Sequence, residues 1–568
     1  MIELSQQAGS ALSGTPQHWH DIDWCRVQRN VRGMQIRIAK ACREGKWCRV
    51  KALQRMLTRS KSARYLAVRR VTENQGKRTA GVDRVLWDTP DAKWKAASGL
   101  KRRGYQPRPL RRVFIPKSNG KERPLGIPTM TDRAMQALYL LALAPIAETK
   151  GDPNSYGFRI ERSTADAMSQ LFTCLSQKAS ARWVLEADIE GCFDHINHDW
   201  LIASIPTDKA VLRKWLKAGV VNKGQLQATD AGTPQGGIIS PTLANMVLDG
   251  LESGLKQYLG RAKAKRLKVH VVRYADDFVI TGDSPEMLAD EVKPWVEQFL
   301  AVRGLRLSPE KTQIVHIDRG FDFLGWNFRK YDGKLLIKPS KKNAQAFYRK
   351  VKEAISSNKT MRQDNLIRLL NPILKGWALY HQPVVAKQAF SRMDFLLFQA
   401  LWRWAKRRHS RKNLEWIRKK YFRTSESKNW VFAATVFTEV GGKKDFVLHT
   451  LSETPIERHI KINGEYNPFD PSMEAMGEKL RMDRMLKKLK YRKQITSLYV
   501  SQKGRCVLCG QPITKETGWH DHHIVHRTQG GSDALVNRVL LHPNCHQQLH
   551  SRGLTVSKPA PAGALLKA

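Results

Sequence analysis

Tyr274-Ala275-Asp276-Asp277 sets two adjacent carboxylates between short apolar runs, Val269 to Arg273 and Phe278 to Thr281. Those runs are rich in Val and Ile, which favours strands joined by a tight turn. Such a turn crowds both acids into one small space. Like charges that close need compensation, and a divalent cation supplies it. An isolated Asp-Asp is also at home in a surface turn, where the side chain bonds its own backbone. Here a third acid is within reach, because Trp183 to Asp188 is another apolar run ending in a carboxylate. With Asp188 at a strand end facing the hairpin, Asp188, Asp276 and Asp277 could hold two Mg2+ ions about 3.5–4 Å apart. That arrangement activates a 3′-hydroxyl and stabilises a leaving pyrophosphate.

A second donor set follows much later. Cys506-Val507-Leu508-Cys509 and His542-Pro543-Asn544-Cys545 are two knuckles of the same spacing. Cys506, Cys509, His542 and Cys545 suit a closed tetrahedral structural Zn2+ site. A single Cys-x-x-Cys also fits a redox pair, but paired knuckles in a basic region fit zinc better. Between and after them lie His522-His523, Gly530-Gly531, Asn537, His546 and His550.

The elements that must position these groups are legible in outline. At 568 residues, the chain is long enough for several domains. Residues 1–24 read as loosely ordered. Trp24 to Val71 is basic with helical apolar spacing, and Thr79-Ala80-Gly81-Val82-Asp83 marks a turn. Strands and loops run from about Arg111 to Tyr331, and Lys341 to Arg423 reads as helical. Residues 401–430 carry eleven Lys/Arg against two Glu, interleaved with Trp402, Trp404, Trp416, Tyr421, Phe422 and Trp430. This suits backbone neutralisation plus base stacking; the alternative is aromatic core residues under a solvated basic face. Residues 478–493 read as a basic amphipathic helix, with a calmodulin-type or membrane-surface helix as the alternative. The tail 554–568 is low in complexity and reads as disordered.

Charge narrows the partners. Lys plus Arg number 98 against 51 Asp plus Glu, a net +47, which calls for a polyanion bound in a salt-dependent way. No run of 18 apolar residues exists, so a spanning helix and a membrane partner are not expected. The longest apolar stretch, Ala137 to Ala147, reads as a core helix. The first residues show neither a secretory nor an Arg-rich transit pattern. Cys25, Cys42, Cys48, Cys174 and Cys192 are scattered and read as reduced. A cytoplasmic location, nucleoid-associated when DNA is bound, is the expectation.

Further blocks occur in a fixed order. Arg112-Val113-Phe114-Ile115-Pro116-Lys117 precedes Lys121-Glu122-Arg123-Pro124-Leu125-Gly126-Ile127-Pro128, then Ser155-Tyr156-Gly157-Phe158-Arg159. Gly232 to Pro241, Gly304 to Thr312, Phe321 to Trp326 and Asn371 to Trp377 follow. With the two acidic blocks and the C-terminal histidines, the set resembles a group II intron-encoded protein. That family combines a reverse transcriptase and maturase with, in some members, a C-terminal HNH endonuclease. The resemblance implies an α+β multi-domain chain: a right-hand polymerase of fingers, palm and helical thumb, then a ββα-metal HNH domain. The expected divisions are 1–105, an RNA-binding N-terminal helical extension; 106–335, fingers and palm; 336–430, thumb or maturase domain X; 431–495, a basic DNA-binding segment; and 496–553, the HNH unit with its zinc site.

By this resemblance Asp188 and Asp276 are principal Mg2+ ligands and Asp277 a supporting one. Lys117 and Arg123 grip the triphosphate, and the Arg fork suits bidentate phosphate contact. Phe193 is the bulky gate against a ribonucleotide 2′-hydroxyl, or else simple core packing. Gln235 meets substrate or template, and Lys311 lies near the triphosphate as a general acid for pyrophosphate. His523 is the general base of the nuclease. His522 and His546, with His550 as a third candidate, hold one divalent metal, and Asn537 holds the loop and orients His523. The implied partners are group II intron RNA, target DNA and dNTPs. The implied activity is target-primed reverse transcription with assistance to splicing (retrohoming); the alternative is a splicing-only RNA-binding maturase with vestigial catalytic sites. The chain departs from the family where Ile160-Glu161 replaces the frequent Pro-Gly, and where His542 replaces a frequent Cys.

Overall fold

The structure, a computed structural model, describes residues 16–559 apart from 117–119, 121, 426–427 and 438–441. It has the expected α+β multi-domain character. Three helices open it: α1 (Trp24–Arg43), α2 (Trp47–Arg59) and α3 (Lys61–Glu73). Asp23 caps α1 by accepting from the Arg26 amide. The segment before α1 is not loose where it is described. Trp19, Ile22 and Trp24 are buried, and the Trp19 indole donates to Asn544 Oδ1 at 2.8 Å. Two aromatic side chains and an isoleucine this close together gain more from burial than the short segment loses in freedom.

After α4 (Pro90–Gly99) come the hairpin strands β1 (Leu110–Pro116) and β2 (Glu122–Ile127), then α5 (Met130–Lys150) and α6 (Thr164–Leu175). The Ala137–Ala147 run lies inside α5, whose side chains are mostly buried. Strand β3 (Trp183–Asp188) follows, with β4 (Val220–Asn222) and β5 (Gln225–Gln227) after it; β4 and β5 extend the hairpin sheet in the order β2-β1-β4-β5. Strands β6 (Val271–Tyr274), β7 (Asp277–Gly282) and β8 (Gln313–His316) join β3 in an antiparallel sheet, order β6-β7-β3-β8.

That sheet explains the unbroken apolar runs. Successive strand residues face opposite sides. Leu185, Val271, Phe278 and Ile280 enter one buried core, with the N-terminal helices and α5. Val184, Val272 and Val279 enter another, with α6 and the helices beyond residue 340. A sheet covered on both faces needs apolar residues at every position rather than at alternate ones.

Four further helices, Lys341–Ser357, Gln363–His381, Lys387–Arg408 and Leu414–Tyr421, form the expected helical unit. Its aromatics divide between core and surface. Trp404, Tyr421 and Phe422 are core, whereas Trp430 is 40% exposed and carries the Arg418 guanidinium 5.6 Å from its ring. The helix Glu474–Leu489 takes in the basic amphipathic stretch up to Leu489, short of the expected residue 493, and buries Met485 and Leu489. No helix among the described residues is long and apolar enough to cross a membrane.

Candidate active sites

Tyr274 pairs with Asp277 across β6 and β7, so Ala275 and Asp276 make a two-residue turn. Ala275 adopts a left-handed φ of 58°. Gly157 is pressed against this turn: a Cβ on it would lie 2.2 Å from the Ala275 amide nitrogen, so only glycine fits. Behind the turn, the buried Arg273 guanidinium donates to Asp249 Oδ1 at 2.6 Å and to Asn245 Oδ1 at 3.1 Å. Asn245 in turn donates to the Gly157 carbonyl at 2.7 Å.

The β3–β7 register places Asp188 directly opposite Asp277, with Asp276 in the adjoining turn. Crowding shows in their proton affinities. Burial, a hydrogen bond with Asp188 and the Asp276 charge push the Asp277 carboxyl up to about 8. Burial, then the Asp188 charge, raises Asp276. Hard oxygen donors under that repulsion are a donor set suited to Mg2+. Lys311 Nζ stands 2.7 Å from Asp188 Oδ2, and the Arg123 charge acts on Asp276. Arg123 is exposed on β2, opposite Ile115; Lys117 lies outside the described residues.

Phe193 is half-buried and meets Phe158 edge to face at 6.2 Å. The two rings line a small concavity together with Ala275 and Asp276. Gln235 donates from Nε2 to both Asp194 carboxylate oxygens at 3.2 Å. Its carbonyl accepts from the Gly126 amide at 2.8 Å, tying this loop to β2. Asp194 as the Gln235 partner was not legible from sequence.

Away from this site, α2, α5 and the segment 101–103 line a cavity of about 1560 Å3. Lys51, Arg55, Arg59, Lys101, Arg103 and Lys150 face it, a surface suited to a phosphate backbone.

Near the C-terminus, β9 (His520–His523) and β10 (Arg538–Leu541) pair antiparallel and lead into the helix Pro543–Ser551. Cys506, Cys509, His542 and Cys545 are all buried, and one ligand atom from each lies within 4.8 Å of the others. His542 Nδ1 is 3.3 Å from Cys509 Sγ. Its Nε2 is 3.1 Å from the Pro512 carbonyl, which fixes the tautomer with Nδ1 free to ligate. The donors therefore fit zinc.

His522, His546 and His550 form a second such group, with His546 Nε2 and His550 Nε2 at 3.3 Å. The last two stand one helical turn apart and share a face. Burial, then the charges of His520 and His550, takes His546 down to about 4, so the imidazole is neutral and able to ligate a divalent metal. His523 points elsewhere, its Nε2 2.8 Å from Asp533 Oδ1. Asn537 accepts from the Val525 amide and donates to the Val525 and Ser532 carbonyls. It holds the loop; the side chain touching His523 is Asp533, which lies outside any recognisable spacing.

Four family models match the chain. "Reverse transcriptase (RNA-dependent DNA polymerase)" matches residues 115–328 and "N-terminal domain of reverse transcriptase" residues 19–100. "Group II intron, maturase-specific domain" matches residues 344–422 and "HNH endonuclease" residues 506–552. Protein YkfC of Escherichia coli (strain K12) is 34% identical over 333 residues, 51% of this chain and 86% of that protein. Group II intron-encoded protein LtrA of Lactococcus lactis subsp. cremoris is 32% identical over 332 residues. That match covers 47% of this chain and 54% of LtrA, so the likeness spans about half of that relative. Maturase-like protein 1 of Euglena gracilis is 26% identical over 58% of this chain and 70% of its own length.

Proposed function

This chain belongs to the group II intron-encoded proteins, and we propose that it copies intron RNA into DNA from a primer that its own nuclease unit exposes. The observation that carries this reading is the β3–β7 register, which sets Asp188 against Asp277 beside Asp276 and Lys311. Asp188, Asp276 and Asp277 would hold Mg2+, which when bound supplies Lewis-acid activation of a primer 3′-hydroxyl and charge neutralisation at the leaving pyrophosphate. Arg123 and Lys311 offset the charge of the triphosphate, and Lys311 gives a proton to the departing pyrophosphate, a reading supported by its position beside Asp188. Phe193 closes the space beneath the sugar and favours dNTPs, and Gln235 stiffens the loop that faces the template.

In the C-terminal unit, Cys506, Cys509, His542 and Cys545 would hold a structural zinc ion. His522, His546 and His550 would hold one divalent metal, whose chemistry is charge stabilisation at the scissile phosphate. His523 takes the proton from the attacking water, and Asp533 keeps its imidazole in place. The cationic cavity beside α2 and the exposed aromatic-cationic face around Trp430 bind intron RNA and aid its folding toward splicing.

The test uses the purified chain with its co-purifying RNA, a duplex DNA carrying the insertion site of that RNA, Mg2+ and dNTPs. Expected is new DNA joined covalently to one strand of the duplex. His523→Ala should remove this product, and a duplex nicked beforehand should restore it. Splicing with no DNA product on either duplex would instead favour the splicing-only reading.

A further inference from the structure

The loop between Gly157 and Asp166 carries two non-glycine residues in the left-handed region, Phe158 at φ 58° and Glu161 at φ 59°. Such conformations persist only where the surroundings over-determine them, and they concentrate at working parts of a protein. A glycine would take the Glu161 backbone shape without strain. A residue that stands where glycine is easier needs a side-chain reason.

The side chain has one. The Glu161 carboxylate accepts from the Tyr466 hydroxyl and from the Arg481 guanidinium. Tyr466 is only 2% exposed. Gly477 is cut to fit: a Cβ there would lie 2.4 Å from the Tyr466 hydroxyl. Two neighbours of Glu161 reach the same segment. Arg162 donates to the Gly464 and Tyr466 carbonyls at 3.0 and 3.3 Å. Asp166, fully buried, accepts from the Ile462 amide, His459 and Arg484. Residues 459–484, which lead into the nuclease unit, are thus bound to this one loop by three of its side chains, Glu161, Arg162 and Asp166. At its other end the loop abuts the catalytic turn through Gly157 and lays Phe158 against Phe193.

We propose that Glu161 is a positioning residue through which the segment leading to the nuclease holds Phe158 against Phe193, so that nucleotide selection depends on the docking of that segment. The proposal rests on the reverse-transcriptase reading and on Phe193 as part of the nucleotide pocket. It makes the polymerase site sensitive to the arm that carries the nicking site, although the two sites share no catalytic side chain.

The test is steady-state primer extension by the full chain on an RNA template with Mg2+, comparing dTTP with UTP. Glu161→Arg and Arg481→Glu are each expected to raise the KM for dTTP about fivefold or more and to lower dTTP-over-UTP discrimination, with kcat within about twofold of wild type. The exchanged pair Glu161→Arg/Arg481→Glu is expected to return both values to within about twofold. Tyr466→Phe, which removes one hydroxyl and leaves the packing, is the variant that cannot be dismissed as misfolded; it should shift KM in the same sense. Unchanged KM and discrimination in Tyr466→Phe and in both single variants would overturn the coupling and leave the polymerase reading standing. So would single variants that lose kcat alone, without rescue in the pair. A wild-type chain that incorporates neither nucleotide would overturn the polymerase reading, and the proposal with it.

Discussion

The two regions proposed to bind metal are built on opposite plans. In the palm, Asp188 and Asp277 come from separate strands of one sheet with Asp276 in the turn beside them, and their meeting depends on the β3–β7 register. In the C-terminal unit, the ligands come from short local spacings: two knuckles, one strand and one helix face. The palm sheet is packed on both faces by apolar cores, so its site is a by-product of a fold that stands without it. The C-terminal unit is small; its Leu540, Leu541 and Leu549 join the core of the N-terminal helices, and a four-ligand metal staple suits a unit of that size. The difference teaches which loss should be chemical and which structural.

The largest effect should come from Asp276→Ala. The turn that carries it is held from behind by Arg273, Asn245 and Gly157, none of which uses the Asp276 side chain. The variant should fold and melt like wild type yet lose primer extension by about a thousandfold or more, the rate equivalent of several kcal/mol of transition-state charge stabilisation. Residual extension within tenfold of wild type would mean that this acid is not a metal ligand.

Zinc removal should divide the two regions more sharply still. A strong chelator, or His542→Ala, should release about one zinc per chain and unfold residues 496–553 as a unit, because structural zinc can contribute on the order of 10 kcal/mol to a small module. Nicking should vanish. Primer extension should fall far less than nicking, because residues 459–484 stay bound to the Glu161 loop. Hydrogen exchange should also rise at Trp19 to Ile22, whose indole and carbonyls bond Asn544 and Gln548 on the zinc helix. Protection of that helix unchanged after zinc loss would show that docking on the N-terminal helices, not the metal, holds the unit together.

The same contrast explains what could be read in the sequence. The Cys506, Cys509, His542 and Cys545 cluster was legible because spacing along the chain nearly sets which of these side chains meet. The acidic turn was legible because strands covered on both faces give continuous Val and Ile runs. Residues whose role depends on distant packing left no trace. Asp194, Asp533 and Arg481 look like ordinary surface charges until the fold brings Gln235, His523 and Glu161 to them. Residues 16–24 pack for a reason the sequence hides in the same way: a few large apolar side chains carry no periodicity, and their partners lie at the far end of the sequence.

The smallest effect, and the finest probe of the comparison, is Asp533→Asn. Both sites pair an acid with a base, but not alike. Asp188 is 16% exposed beneath Lys311, whereas the Asp533 side chain is 65% exposed beside a His523 that is 20% exposed. Exposed pairs contribute little because solvent screens them and the side chains lose freedom in meeting. Asp533 also accepts from Arg527, which would go on shaping the loop around an amide. Its work is therefore orientation of one imidazole, and its loss should lower the nicking rate by about tenfold, the low end for a partner that orients a catalytic group. Raised salt should weaken wild-type nicking toward the variant, since screening acts on the same pair. Asn537→Ala should cost more, because it removes three backbone anchors at once. If the order were reversed, with Asp533→Asn the more damaging, the His523–Asp533 pair would be acting as a unit in the reaction, and the C-terminal site would resemble the palm more closely than its exposure implies.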